Sequence, residues 1–183
     1  MGRTTVSAME KAYDKQLQED FVARAKGRVT RLTNDALKEK IRTFLKNHRI
    51  CTLATCSGGM PRSTPVRYRS QDFTIYIFTE GGGKANNILD NPNVSVSLYG
   101  NYSGFESVVG LQLWGKAEII KPGDGKRYEE AKKIIRMEER VDLKKIDLQG
   151  MKPMDIIKIK VKRARYLSFP EGILNQAVNI KSK

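Results

Sequence analysis

Apolar positions recur along this chain with two periods, and the change of period divides it. From Ser7 to about Gly27, Met9, Ala12, Tyr13, Leu17, Phe21 and Ala25 fall at helical spacings without a proline. That pattern predicts a helical N-terminal arm ended by Gly27. Thr33 or Asn34 then caps a second helix, with Leu37, Ile41, Phe44 and Leu45 on one face. Asp35 near its start and Lys46 near its end suit the helix dipole. After Arg49 the period shortens to two. Residues 50–56, 61–69, 73–79, 94–99, 107–120 and 155–168 read as strands.

Turn residues separate these strands. Ser57-Gly58-Gly59 and Gln71-Asp72 join the first three into an antiparallel meander, and Pro65 places the second at a sheet edge or irregularity. Gly81-Gly82-Gly83 leads into a short helix, roughly Lys84 to Leu89, stopped by Asn91-Pro92. Gly110 and Gly115 permit bulging in the long strand, and Gly123-Asp124-Gly125 opens a charged helix near 126–140, followed by loop over 142–153. In the last strand Ile157, Ile159 and Val161 share one face and Lys158, Lys160 and Lys162 the other. Six strands with few helices imply a mainly β fold with peripheral helices, a small closed or split antiparallel barrel.

Length and composition narrow the functional classes. The 183 residues suit one domain with a sizeable core. No apolar run reaches the ~20 residues of a membrane helix, and residues 1–20 lack a secretory apolar region. Cys51 and Cys56, five apart in one strand, point to opposite faces and cannot bridge, which agrees with a reducing cytoplasm. His48 is the only histidine, placed at a helix end, and no Cys/His spacing suggests zinc. The formal charge of +14 favours anionic partners, yet the basic residues are dispersed beyond two clusters, Arg24 to Arg31 and Lys158 to Arg165.

The segment with the clearest chemistry is strand 73–79 followed by three glycines and Lys84. Unpaired N–H groups at a helix start attract phosphate, glycines let the backbone approach an anion, and the ammonium adds a full charge. Thr79 adds a hydroxyl at the strand end. The segment is not a P-loop, because residue 78 is Phe and Ala85 stands where a magnesium-binding Ser or Thr would be.

The ordered pieces TLAT (52–55), GMPRSTPV (59–66), IYIFT (75–79), GGKANNILDNP (82–92), VSVSL (94–98) and GKAEII (115–120) together resemble the pyridoxamine 5′-phosphate oxidase-like FMN-binding split-barrel family, over about residues 35–169. The resemblance implies a six-stranded split barrel over 33–170, with the arm at 1–32 and a C-terminal tail at 171–183. It further implies a homodimer with FMN at the interface and a small-molecule substrate or electron acceptor. Position by position, Lys84 matches the lysine that meets the flavin phosphate, with Gly83 before it and Phe78 and Thr79 at the adjoining strand end. Ser63, Thr64, Pro65 and Val66 lie on the strand bordering the flavin ring, and Arg62 falls beside ribityl or phosphate oxygens. Gln112 and Trp114 lie where the family often places second-subunit contacts. No catalytic acid or base stands out; Arg67, Tyr99 and Tyr102 are candidate substrate contacts.

Several departures exclude the oxidase proper. It carries arginine where Thr64 stands and Ser-Arg where Gly82-Gly83 stand, and its C-terminal Trp, Ser, Arg and His motif is absent. An FMN-dependent oxidoreductase of another small molecule is therefore the expectation. One alternative is a deazaflavin-dependent reductase, since RYLSFPEG (165–172) is similar to an aromatic–Pro–Gly loop in some split-barrel proteins. A haem-binding barrel is disfavoured because His48 lies outside the matching strands. A nucleic-acid-binding module fits the charge but lacks a zinc finger, an RNP-like motif and a recognition helix.

Overall fold

The computed structural model describes residues 29–135 and 153–181. The N-terminal arm predicted over Ser7 to Gly27, the end of the charged helix beyond Ile135 and nearly all of the predicted loop lie outside these residues.

Helix α1 (Asn34–Asn47) is capped by Thr33, whose Oγ1 accepts from the Ala36 N–H at 3.3 Å. Its buried face of Leu37, Ile41 and Leu45 closes one side of the main core. Strand β1 (Ile50–Ser57) turns through Gly58-Gly59 into β2 (Met60–Arg67), and then come β3 (Arg69–Gln71) and β4 (Thr74–Thr79). Helix α2 (Gly83–Asp90), β5 (Asn93–Tyr99), β6 (Val109–Ile120), helix α3 (Lys126–Ile135), β7 (Asp155–Ser168) and β8 (Ile173–Asn179) complete the order.

The strands form one curled antiparallel sheet in the order β2-β1-β5-β6-β7-β4-β3, with β8 added on β7. The curl depends on β7. Its first half pairs with β4, from Asp155 to Lys160, and its second half pairs with β8, from Arg163 onward, while β6 runs along both. A register shift at Trp114/Gly115 accommodates the bend. The fold is thus a split barrel, mainly β. Inside it, alternation puts Leu53, Val96, Leu113, Ile157 and Ile159 in the core. A second apolar layer joins Tyr128, Ala131 and Ile135 of α3 to Tyr76 of β4 and Ile156 of β7.

Three sequence expectations change. The first three strands are not a continuous meander, because β2 ends one edge of the sheet and β3 the other. The run 61–69 breaks at Tyr68, whose side chain turns into the core and donates to Leu45 O at 2.8 Å. The segment expected as a tail contains β8, where Ile173 and Val178 are buried and the polar Gln176 bonds both the N–H and the carbonyl of Leu32. As expected, Pro65 lies on an edge strand, and Cys51 is buried while Cys56 is half-buried on the other face. No helix among the described residues is long and apolar enough to cross a membrane, and no cluster of His, Cys, Asp or Glu there could hold a metal ion.

Candidate functional site

The curl brings β2 toward the end of β4, and a cleft of about 260 Å³ opens between them. One wall is Thr64, Pro65 and Val66; the other is Phe78 and Thr79, with Lys84 at the start of α2. Six of the residues singled out from sequence therefore converge. Arg67, the candidate substrate contact, lines the cleft too, with Tyr68, Arg69, Glu80, Ile135 and Met154. Ile135 and Met154 arrive from distant sequence: the Tyr128 hydroxyl donates to Met154 O at 2.8 Å and fixes the first turn of α3 against the start of β7. Only Arg69, two residues past Arg67 in the same basic run, carried any sequence signal of its place there.

The turn before α2 has a defined internal structure. Gly81 and Gly82 have φ of 93° and 75°, a region that side chains disfavour, so glycine is required at both. Thr79 Oγ1 accepts from the Gly81 N–H at 3.1 Å and donates to Gly81 O at 3.3 Å. That hydroxyl holds the loop. Lys84 Nζ also reaches Gly81 O, at 3.3 Å, which uses one of its three donors. No side chain caps α2 at its N-terminus, so its first turn stays open to an anion.

Arg62, Ser63 and Gly83 are not among the residues that line the cleft. Gln112 and Trp114 are farther off. They lie on the outward face of β6, in register with Ser97 and Ser95 on one side and with Arg165 and Arg163 on the other. The guanidinium carbons of Arg163 and Arg165 lie 5.4 and 5.7 Å from the Trp114 ring centre. A single protomer does not bring these two residues to the cleft. Tyr99 and Tyr102 are also outside it, 77% and 74% exposed.

Burial raises the Tyr68 hydroxyl well above its ordinary pKa, with the nearby Cys51 adding to the rise and Arg49 opposing it. Tyr68 is thus a neutral donor that stiffens the cleft wall. Burial also pushes the Cys51 thiol up to about 12. His48, at the end of α1, stacks on Phe44 at 3.8 Å, and its Nδ1 lies 2.7 Å from Phe44 O, as a helix-end role predicts.

A family model described as pyridoxamine 5′-phosphate oxidase matches residues 37–168. General stress protein 26 of Bacillus subtilis is 29% identical over 121 residues, 66% of this chain and 86% of that protein. Among solved structures, a FAD-binding protein from Mesorhizobium loti superposes with a TM-score of 0.53 at 21% identity, over 69% of this chain and 88% of that one. A heme binding protein from Mycobacterium smegmatis superposes with a TM-score of 0.60 at 18% identity, over 83% and 59% respectively. At such identities the structural likeness speaks for the fold alone.

Proposed function

Since the chain belongs to the pyridoxamine 5′-phosphate oxidase family, we propose that it binds FMN in this cleft and acts as a flavin-dependent oxidoreductase on a small molecule other than pyridoxamine phosphate. The observation that carries the reading is the meeting of Thr64–Val66, Phe78 and Lys84 around one cleft beside the uncapped start of α2. The donor set suits a phosphomonoester: an ammonium group and the exposed amide end of a helix. Thr64, Pro65 and Val66 offer a flat edge-strand wall for the ring, and backbone groups of that edge are available to hydrogen-bond it. The flavin, when bound, supplies hydride or electron transfer. The chain's own residues hold its phosphate, orient the ring and exclude water through Val66, Phe78 and Ile135.

The cleft volume of about 260 Å³ falls below the ~300–1,000 Å³ of pockets that enclose whole organic ligands. A second copy of the chain completes it in this reading. The outward face of β1, β5 and β6 suits such pairing: small Thr52, Ala54, Ser95 and Ser97 form its centre, Gln112 and Trp114 follow, and Ile50 is 68% exposed at its end. Haem is the reading that heme-protein structural neighbours raise. The lone imidazole, His48, is stacked on Phe44 and outside the cleft's lining, which weighs against it.

The test is the absorption spectrum of the purified chain, as isolated and after FMN addition and desalting. A retained flavin band supports the reading; a colourless protein that keeps no flavin, or one with a Soret band, overturns it. In the Lys84→Ala variant, FMN affinity should fall by ~1.5–3 kcal/mol, the scale of a charge-assisted hydrogen bond.

A further inference from the structure

Where the last turn of α1, the edge strand β3 and the last turn of α3 meet, a second hollow of about 510 Å³ opens. Lys46 lines it from α1, Arg49 from the residue before β1, Ser70 and Gln71 from β3, and Lys133 from α3. Arg69 stands in the wall of both this hollow and the cleft. None of the described residues that line the hollow is an aspartate or a glutamate.

Elsewhere on the same helices, cations have acidic partners. On α1, Lys38 pairs with Asp35, Lys40 with Glu171, and Arg42 with Glu39 and Asp72. On α3, Arg127 pairs with Glu118 and Lys132 with Glu129. Lys46 and Lys133 are exposed and have no carboxylate partner among the described residues. A cation in the last turn suits the helix dipole, which accounts for Lys46 and Lys133 singly but not for their convergence with Arg49. Arg49 is held without an acid. Its Nη1 donates to Lys46 O and to His48 O, the latter at 3.0 Å, so the guanidinium is fixed with Nε and Nη2 still available.

The volume falls within the ~300–1,000 Å³ that encloses a whole organic ligand. Ser70 and Gln71 set neutral hydrogen-bonding groups beside the charges, and Ile134 adds an apolar patch. A longer nucleic-acid track is not continued here. In the adjoining hollow, which shares Gln71 and Lys133, Glu130 joins the wall, and Arg127 and Lys158 are already paired with Glu118.

We infer that this hollow is a second ligand site, for a small organic polyphosphate of the nucleoside di- or triphosphate class, held by Lys46, Arg49 and Lys133. Several closely spaced negative charges on one ligand match several cations that converge on one hollow. The site is separate from the cleft assigned to FMN and stands whether or not a flavin binds there.

The experiment titrates the full chain, with and without saturating FMN, with ATP, inorganic pyrophosphate and orthophosphate by calorimetry, in about 0.15 M salt without divalent metal. ATP should bind saturably and more tightly than pyrophosphate, with orthophosphate weakest. K46E/K133E should lower ATP affinity by about tenfold to a hundredfold, the scale of lost charge-assisted contacts. K126E/K181E reverses two exposed cations outside the hollow and should stay within about threefold. FMN affinity in K46E/K133E should match the wild type within about twofold, which separates the hollow from the cleft. Loss of ATP binding in K46E/K133E on a chain that retains no flavin would support this site while overturning the FMN reading. Absence of saturable ATP binding, equal loss in the two double variants, or pyrophosphate bound as tightly as ATP would overturn the inference. So would competition between ATP and FMN, or a chain that binds single-stranded RNA but neither ATP nor pyrophosphate.

Discussion

Asn87 Nδ2 donates to the Thr55 hydroxyl at 3.2 Å and ties the middle of helix α2 to β1, and Thr55 is only 3% exposed. Removing the amide leaves a buried hydroxyl with its partner gone. Asn87→Ala should lower unfolding free energy by ~1–2 kcal/mol in urea titration and weaken FMN binding with it, because the phosphate end of α2 loses its anchor. Loss of stability without loss of flavin affinity would show that α2 is positioned by Ala85 and Ile88 packing instead.

Gly115 sits at the register shift between β6 and β7, where an added Cβ would lie 2.4 Å from Lys160 O and 3.1 Å from Val161 Cα. Both contacts are backbone and cannot rotate away. Gly115→Ala should therefore cost ~2–4 kcal/mol or force the strand apart, and calorimetry should show Tm falling by roughly 5–15 °C. A shift within a degree would mean that the bend of β7 is softer than its pairing suggests.

Acid sensitivity should trace to Glu171 and Glu118. Partial burial pulls each carboxyl upward, but it is overcome, for Glu171 by hydrogen bonds to Lys40, Ser168 and Tyr166, and for Glu118 by Arg127 with help from Lys158 and Lys160. Both are held below the ordinary value of 4.5, so their stabilisation is complete above that pH and is lost as pH falls through the lowered values. Since both carboxylates are partly solvent-exposed, the contribution is small. Urea midpoints from pH 6 to 3 should fall less steeply in E171Q and E118Q than in the wild type; parallel curves would contradict the assignment.

Cysteine chemistry should follow depth. With the Cys51 thiol pushed up to about 12 by burial, the thiolate is scarce near neutral pH. Iodoacetamide should label Cys56 in the folded chain and Cys51 only in denaturant, as read by mass spectrometry. Rapid native labelling of Cys51 would indicate opening of β1.

Much of this architecture was legible in period and punctuation. Alternation from Ile157 to Val161 marked a strand, and glycines 81–83 before an apolar helix face marked the turn that carries Lys84. Strand β8 was hidden because Asn175 and Gln176 break its apolar pattern; Gln176 is satisfied by Leu32, 144 positions away. The break at Tyr68 was hidden for a similar reason, since a tyrosine in an alternating run gives no sign that its hydroxyl will seek Leu45 O. At the cleft, local sequence pointed to Thr79 and Lys84, and the family resemblance to Thr64–Val66 and Phe78. It gave no way to know that Ile135 and Met154 would arrive there, or that Gln112 and Trp114 would face away. Those outcomes depend on how β7 bends, which no short window of residues encodes.

The most direct measurement is a crystal structure of the chain grown with saturating FMN. The account predicts phosphate oxygens beside Gly82–Lys84 and Arg62, the ring against Thr64–Val66, and a partner subunit closing the cleft. FMN seated elsewhere, or this cleft filled by the chain's own side chains with the flavin excluded, would contradict it.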